Sequence, residues 1–263
     1  MYRLLTTLLG IVFSVSVFSQ GELDEVRVVT GNENSYAFLL NSDGWGLNYR
    51  HGKRLDGFRK RLLDFDFAYI KHAKEIKTQN PYYENQKRFV FGKLNSMFAV
   101  RTDIGIQKEI YSKFDKGGVA IKYFYGIGLT LGILKPVYYQ IVDSSIVSNN
   151  ERYLYLSEKK FDEASIHQVS DIYSRASFFK GLDETKFKPG INVKLGLSFV
   201  YSNIYDALNA IEAGLIIDAF KTEIPIMATE KNNQIFVSLF VSYRFGRVGI
   251  RNKRSKKAKA DGA

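Results

Sequence analysis

Residues 89–110 read FVFGKLNSMFAVRTDIGIQKEI, and apolar and polar side chains alternate through the whole stretch. The even positions are mostly apolar, Phe98 and Val100 among them, whereas the odd positions include Arg101. Because successive side chains of a β-strand point to opposite faces, the stretch predicts one long strand with an apolar and a polar face. At about 3.3 Å per residue this strand would measure roughly 70 Å, longer than soluble proteins usually use.

The same alternation recurs along the chain and predicts an all-β protein of eight antiparallel strands. We place them at 35–41, 44–51, 58–71, 88–111, 118–140, 190–202, 207–221 and 234–246. An even count returns both termini to one side, and the longer connections then fall on the opposite side, with the turn at 41–44 as the short exception. Bacterial transmembrane barrels have this arrangement. A break near residues 95–96 would give nine strands and remove the parity.

Alternation alone does not say which face is inside, so a soluble sandwich or lipocalin-like barrel is the alternative. Three features favour apolar residues outside. Gly, Ser and Asn outnumber charges opposite the apolar positions, Tyr and Trp recur near strand ends, and the last strand closes on the aromatic sequence VSYRF. The sequence therefore predicts an up-and-down, eight-stranded transmembrane barrel.

If the apolar faces meet lipid, thirteen ionisable residues point inward. An eight-stranded barrel is only wide enough for its own side chains, so we expect these charges to pair and plug the lumen, without an aqueous pore. A selective channel or small porin is the alternative. The predicted luminal network comprises Arg50, Lys60, Asp64, Asp66, Lys93, Arg101, Asp103, Glu109, Lys122, Lys194, Glu212, Asp218 and Arg244.

The amino terminus has the features of a secretory signal peptide. A short basic start precedes an apolar stretch, and Val17 and Ser19 fit the positions before a cleavage site. We therefore predict a signal peptide at 1–19, a periplasmic lead at 20–34, an outer-membrane barrel at 35–246 and a basic periplasmic tail at 247–263. No run of 18 apolar residues predicts a membrane-spanning helix, and the chain has no Cys.

The residues do not point to a particular chemistry. Three His residues stand without partners at metal-ligand spacing, so we predict neither a metal site nor a cofactor. His167 with Ser165 and Asp162 nearby leaves a lipid-modifying hydrolase as an alternative, but they lie in a long loop. We predict a non-enzymatic protein.

The 49-residue stretch 141–189 is too long for a simple connection, and loops of this length are usually functional. A short helix is expected at 162–174. The stretch is rich in aromatic residues, which predict either a lid on the barrel or contacts with a protein partner. The candidate partner contacts are Tyr153, Tyr155, Phe161, Phe178 and Phe179.

Basic residues lie in two further places. On the outer side they are candidates for binding lipopolysaccharide phosphates, with an ordinary solvated surface as the alternative: Lys71, Lys74, Lys77, Lys87, Arg88, Lys186 and Lys188. The carboxyl-terminal tail contains six more after Arg247, and we expect it to be disordered. Export makes nucleic acid an improbable partner, and anionic lipid or an acidic protein fits better.

Several short segments resemble an uncharacterised outer-membrane barrel family of the Bacteroidota. They are KEIKT at 74–78, NPYY at 80–83, FGKLNS at 91–96, and PIMA at 225–228 followed by NNQ at 232–234. The resemblance spans nearly the whole chain after the signal peptide. It implies an outer-membrane barrel but no activity and no catalytic residues. By analogy with small barrels of that phylum, it suggests an accessory subunit of the barrel-assembly or secretion machinery.

Overall fold

The computed structural model describes residues 31–83, 85–113, 118–147, 151–162, 166, 168–202, 207–228 and 232–249. Eight long strands form the barrel wall: β1 Glu33–Asn41, β2 Gly44–Arg54, β3 Arg59–Ile70, β6 Asn95–Tyr111, β7 Ala120–Pro136, β11 Lys186–Val200, β12 Ala207–Phe220 and β13 Ile235–Val248. Five shorter strands lie in the connections at the barrel end opposite the termini, which we call the outer end after the predicted orientation: β4 Lys77–Thr78, β5 Phe89–Val90, β8 Tyr138–Val147, β9 Glu151–Lys160 and β10 Ile172–Arg175.

The wall is a closed antiparallel barrel in which each wall strand pairs with the next wall strand along the chain. Pairing of β1 with β13, from Glu33 opposite Val248 to Asn41 opposite Phe240, closes the ring. The predicted eight-stranded antiparallel barrel is therefore confirmed, and closure leaves no free sheet edge in the wall.

The apolar faces of the wall strands point outward, as predicted. On β7, Leu129 is 71% exposed whereas its neighbour Thr130 is 3% exposed, and the same inversion runs around the ring. Charged side chains fill the inside, and Arg50 and Arg101 have no exposed surface. A belt of apolar side chains outside a polar interior is the construction of a barrel that spans a lipid bilayer. The chain is thus an outer-membrane barrel in its architecture. No helix among the described residues is long and apolar enough to cross a membrane.

Two predicted wall strands were too long. The stretch predicted at 88–111 breaks between Val90 and Asn95, because Gly92 has a positive φ of 74° that turns the chain. Strand β5, which precedes the break, pairs with β4 in a separate two-stranded sheet. The wall therefore keeps eight strands.

The strand predicted at 118–140 ends at Pro136, which pairs with Asn95 as the last position of the β6–β7 ladder. Proline has no N–H to extend a ladder. After the turn at Val137, β8 leaves the wall and forms a three-stranded sheet in the order β10–β8–β9.

The stretch 141–189 is therefore built largely from strands, and the helix predicted at 162–174 was wrong. Its described part contains a short 3₁₀ turn, Val169–Asp171, followed by β10. The wall also extends beyond the predicted limits at four ends. The first strand begins at Glu33, β2 continues to Arg54, β11 begins at Lys186, and β13 continues to Val248. The predicted signal peptide at 1–19 and most of the tail lie outside the described residues.

Candidate functional site

The centre of the lumen is held by one arginine that connects opposite walls. Arg50 on β2 contacts Asp64 of β3 with both Nε and Nη2 at 2.8 Å. Its Nη1 also donates to Glu212 of β12 at 2.8 Å. Arg244 of β13 approaches the same Glu212 carboxylate at 3.0 Å. All four are predicted luminal residues, and the structure brings them together.

A second group lies beside the first. Lys194 on β11 donates to Asp66 of β3 at 2.9 Å and lies 3.6 Å from Asp64. Asn48, which the sequence analysis missed, donates to Asp66 at 2.7 Å. Charges on non-adjacent strands are thus linked across the lumen by paired and hydrogen-bonded contacts, as buried charges require.

Nearer the outer side, Arg101 of β6 makes a two-pronged contact with Asp218 of β12, at 2.8 and 2.6 Å. Thr130 donates a third hydrogen bond to Asp218 at 2.9 Å. Asp103 is different, because it accepts a hydrogen bond from Asn192 while its Oδ2 has no partner among the described residues. Its neighbour across the β3–β6 ladder is Asp64, a like charge.

The remaining predicted luminal residues lie at the two ends. Lys60 pairs at 2.7 Å with Glu33, which the sequence analysis placed in a periplasmic lead. Glu109 and Lys122 pair at 3.2 Å and are only half-buried. Lys93 was placed in the wall by prediction but lies in the turn between β5 and β6, because the strand breaks there.

Apolar clusters close the barrel above and below the charges. At the outer mouth, Ile224 and Ile226 from the β12–β13 connection pack against wall residues such as Met97 and Leu134. At the other end a smaller cluster includes Val200 and Val248. Between them, a cavity of about 10 Å³ next to Asp103 has room for about one water molecule. The described residues thus seal the lumen, which supports the prediction of a plugged barrel.

The outer connections form one packed unit, which we call the outer cap: the described residues of 71–94 and 137–185. Its core contains Phe89, Tyr139 and Ile172, with Phe161 packed against them. The side chain of Asn80 donates to the carbonyl oxygens of Ser170 at 2.9 Å and Ile172 at 2.7 Å, joining the two halves of the cap. The Tyr139 hydroxyl lies 2.7 Å from the Val90 carbonyl, and burial raises the pKa of Tyr139.

Three of the segments quoted in the sequence analysis, 74–78, 91–96 and 225–228, meet where the cap joins the barrel mouth. Backbone hydrogen bonds connect 91–96 with 225–228: Leu94 N–H donates to Ile226 and Ala228 N–H to Gly92, at 2.9 and 2.7 Å. Lys93 pairs with Glu75 of segment 74–78 at 2.6 Å and donates to the Tyr69 hydroxyl at 3.0 Å. The resembling sequences therefore build the closure of the outer mouth.

The five predicted partner contacts differ in their surroundings. Phe161 is partly buried and packs against the cap core, and its assignment as a partner contact stays a prediction. Tyr155, Phe178 and Phe179 are exposed, Phe179 at 76%. Tyr153 lies on β9, with its side chain outside the described part of the structure.

The sequence analysis did not single out Leu154 and Leu156, although they flank Tyr155 on β9. They are 73% and 51% exposed. In the order β10–β8–β9, β9 is an outermost strand of the cap sheet. Its exposed apolar side chains therefore lie along a free sheet edge. The apolar run at 154–156 was visible in the sequence, but its edge position required the fold.

The predicted lipopolysaccharide contacts fall into two groups. Those on the β3–β6 connection are exposed and make no ion pair with other described residues: Lys71, Lys74, Lys77, Lys87 and Arg88. Lys186 and Lys188 lie on β11, separated from β3 by β6 and β7. Lys188 donates to Thr222 at 2.8 Å.

No group of three His, Cys, Asp or Glu side chains in the described part of the chain could hold a metal ion. Ser165 and His167, on which the hydrolase alternative depends, lie outside the described residues. The absence of a metal, a cofactor and an enzymatic activity each stays a prediction.

No protein-family model and no curated protein sequence matches the chain. Three solved structures are similar in outline. Ail, the attachment invasion locus protein of Yersinia pestis, in complex with the heparin analogue sucrose octasulfate, is 11% identical with a TM-score of 0.38, covering 83% of this chain and 99% of that chain. The N-terminal β-barrel domain of Pseudomonas aeruginosa OprF is 11% identical with a TM-score of 0.34, covering 82% and 99%. Neisserial surface protein A (NspA) is 11% identical with a TM-score of 0.34, covering 82% and 94%. Similarities this low carry no conclusion about the function of this chain.

Proposed function

We propose that this chain is a non-enzymatic outer-membrane barrel that acts as an accessory subunit of a larger assembly, such as barrel-assembly or secretion machinery of the Bacteroidota. The observation that carries the proposal is the apolar free edge of the cap sheet. A sealed lumen supports a structural role rather than transport of solutes.

The middle of the free edge formed by β9, residues 153–157, contains no charged residue that would oppose pairing with another strand. Edge strands in soluble domains are usually guarded by charges that point into solvent. Here the charged side chains at the end of β9 are paired within the cap. Lys159 contacts Asp143 at 2.6 Å, Lys160 contacts Glu184, and Glu158 contacts Lys180 at 3.5 Å. This leaves backbone groups and the side chains at 154–156 for an added strand of a partner protein.

We propose that both termini lie in the periplasm and that the cap lies outside the cell. Short connections join the wall strands at the end with the termini, and the long ones form the cap at the other end. Since the chain has no Cys, single-Cys variants can test this directly. In intact cells, a membrane-impermeant maleimide should label Lys77→Cys but not Gly57→Cys. The reverse pattern would contradict the orientation.

We propose that the outer basic side chains bind lipopolysaccharide, an outer-membrane lipid. Five of them are exposed on the cap and make no ion pair with other described residues, so their charges are free for phosphate groups. Combined substitution of Lys71, Lys74 and Lys77 by Gln should reduce the lipopolysaccharide that co-purifies with the protein. Unchanged co-purification would assign these residues to an ordinary solvated surface.

A pull-down from native outer membranes in mild detergent tests the subunit proposal. The wild-type chain should co-purify with a stoichiometric outer-membrane protein, identified by mass spectrometry. The double substitution Leu154→Ser and Leu156→Ser should remove that protein, whereas Ile76→Ser, which changes an equally exposed apolar residue elsewhere in the cap, should not. Recovery of the wild-type chain alone would contradict the proposal and strengthen the case for an enzyme.

A further inference from the structure

Four outward-facing basic side chains form a compact group at the barrel end that carries the termini. We call Lys53 of β2, Arg59 and Arg61 of β3, and Lys108 of β6 the basic patch. Lys53 lies directly opposite Arg61 in the β2–β3 ladder, and Arg59 lies directly opposite Lys108 in the β3–β6 ladder. Cross-strand neighbours have Cβ atoms about 5 Å apart, so like charges are adjacent in both pairs.

The protein itself offers this patch little countercharge. Arg59 contacts Asp56 at 2.6 Å, and both side chains are exposed to solvent. Lys53, Arg61 and Lys108 form no ion pair with any residue that the structure describes. Directly opposed like charges destabilise a sheet unless an anion from outside lies between them.

The patch lies at the boundary between the apolar belt and water. The next outward-facing residues toward the centre of the membrane are apolar on both strands. On β3, Leu63 and Phe65 follow Arg61, and on β6, Ile106 and Ile104 precede Lys108. These apolar side chains belong to the outward face of the wall. Long basic side chains at this depth place their charges among lipid head groups while their stems cover apolar surface.

The patch is a local cluster of neighbouring side chains. At the same end, the described outward positions of β7, β11 and β12 hold residues such as Ile121, Phe199 and Ile211. Arg247 of β13 is a further exposed, outward basic side chain at this end, but it lies apart from the patch. Because the four residues of the basic patch are neighbours on adjacent strands, their clustering points to one bound ligand.

We infer that the basic patch binds the phosphate of an anionic phospholipid, with the acyl chains of that lipid lying along the apolar surface above it. Guanidinium and ammonium groups suit a phosphate, and neighbouring apolar wall residues suit its acyl chains. If the termini lie in the periplasm, as proposed above, this lipid belongs to the inner leaflet of the outer membrane. Recognition of its phosphate by basic side chains does not depend on that orientation.

Native mass spectrometry of the detergent-purified chain tests the inference, with dioleoyl-phosphatidylglycerol as the probe and phosphatidylcholine as the neutral comparison. One phosphatidylglycerol should bind more tightly than phosphatidylcholine. The triple substitution K53Q/R61Q/K108Q should weaken this binding by at least tenfold, and the outer triple substitution K71Q/K74Q/K77Q should not. All these side chains are exposed, and retained heat-modifiable gel mobility will show that the variants fold.

Equal binding of phosphatidylglycerol by the wild type and K53Q/R61Q/K108Q would overturn the inference and leave the orientation untouched. Purified lipopolysaccharide is the second probe. If the inner triple substitution abolished lipopolysaccharide binding while the outer one did not, the patch would face the outer leaflet. That result would overturn the inner-leaflet assignment together with the proposed orientation.

Discussion

Arg50 contacts carboxylates from strands on opposite sides of the barrel, Asp64 on β3 and Glu212 on β12. All three are buried, and the Arg50 guanidinium also lies 4.6 Å from the centre of the Phe124 ring. One side chain therefore pairs with two buried carboxylates, which Arg244 and Lys194 also approach. Its loss would leave buried charge uncompensated.

We expect Arg50→Gln to lower the free energy of unfolding by about 3–5 kcal/mol, the usual cost of removing one partner of a buried ion pair. Urea unfolding in lipid vesicles, followed by fluorescence of the single Trp residue, measures this change. Arg61→Gln is the matched control, because Arg61 is exposed and should change stability little. Equal stability of the two variants would show that the luminal pairs do not hold the barrel together.

Asp103 is the exception among the buried carboxylates, since five buried luminal cations face six buried carboxylates. Asp103 has an unpartnered Oδ2 and Asp64 as its cross-strand neighbour. Asp103→Asn should therefore leave stability unchanged or raise it by about 1–3 kcal/mol. Asp218→Asn, which breaks the contact with Arg101, should lower stability by about 3–5 kcal/mol in the same urea assay. A large loss in the Asp103 variant would contradict this difference.

Sequence alternation identified the luminal residues but only some of their partners. Arg50 and Asp64 are cross-strand neighbours, so a correct β2–β3 register predicts their contact. Arg101 and Asp218 are on β6 and β12, with β7 and β11 between them in the wall. Their contact depends on how the closed ring places opposite walls, and a linear pattern contains no such information. Glu33 was missed for a simpler reason, because the first strand was predicted to begin two residues late.

At the scale of elements, the mouth depends on the turn at Phe91–Leu94. Its Gly92 has a positive φ, and the Gly92 carbonyl accepts a hydrogen bond from Ala228 at 2.7 Å. Alternation continues across this turn, as Val90, Gly92 and Leu94 fit the apolar face, and for that reason the sequence predicted an unbroken strand. A single Gly at the turn was the available signal of a break.

We expect Gly92→Ala to destabilise the closed mouth by about 1–2 kcal/mol, because an L-residue is strained at positive φ. A Cβ there would meet its nearest atoms at an ordinary 3.9 Å, so the cost is backbone strain and not a clash. Hydrogen exchange of peptides covering 91–96 and 224–228 should become faster. Gly57→Ala, where a Cβ meets nothing within 4 Å, is the control and should not change exchange. Unchanged exchange in both would place the closure elsewhere.

The cap segment 176–185 contacts β8 and β9 through Glu184. Hydrogen bonds from Lys160 and Tyr138 hold the pKa of Glu184 below its ordinary value of 4.5. A carboxyl group with a lowered folded pKa contributes fully above its unfolded pKa, and its contribution is lost as the pH falls through the folded value. Exchange protection of 176–185, corrected for intrinsic rates, should therefore decrease below pH 4.5. Glu184→Gln should show low protection already at neutral pH, and a pH-independent wild type would contradict this contact.

For the whole molecule, the sequence predicted the architecture better than the cap. The strand number follows from a period of two that is repeated eight times, and the small polar residues opposite the apolar positions, together with Tyr and Trp near strand ends, indicated that the apolar faces point outward. The cap does not, because its strands are short and pair among residues as distant as Tyr139 and Arg175. The exposed edge of β9 and the clustering of the basic patch arise from this topology and from cross-strand register. Both are therefore features that only the folded chain presents.

The central claim is that apolar faces meet lipid while charges fill a sealed lumen. Leu129 and Thr130 are adjacent on β7 but face opposite sides of the wall. Nitroxide spin labels at Leu129→Cys and Thr130→Cys, in a chain without other Cys residues, measure this in lipid vesicles through collisions with oxygen and with a water-soluble nickel complex. We predict that the label at 129 collides often with oxygen and rarely with nickel, and that the label at 130 collides rarely with both. Frequent nickel collisions at 129 would contradict the claim and show that the apolar face meets water.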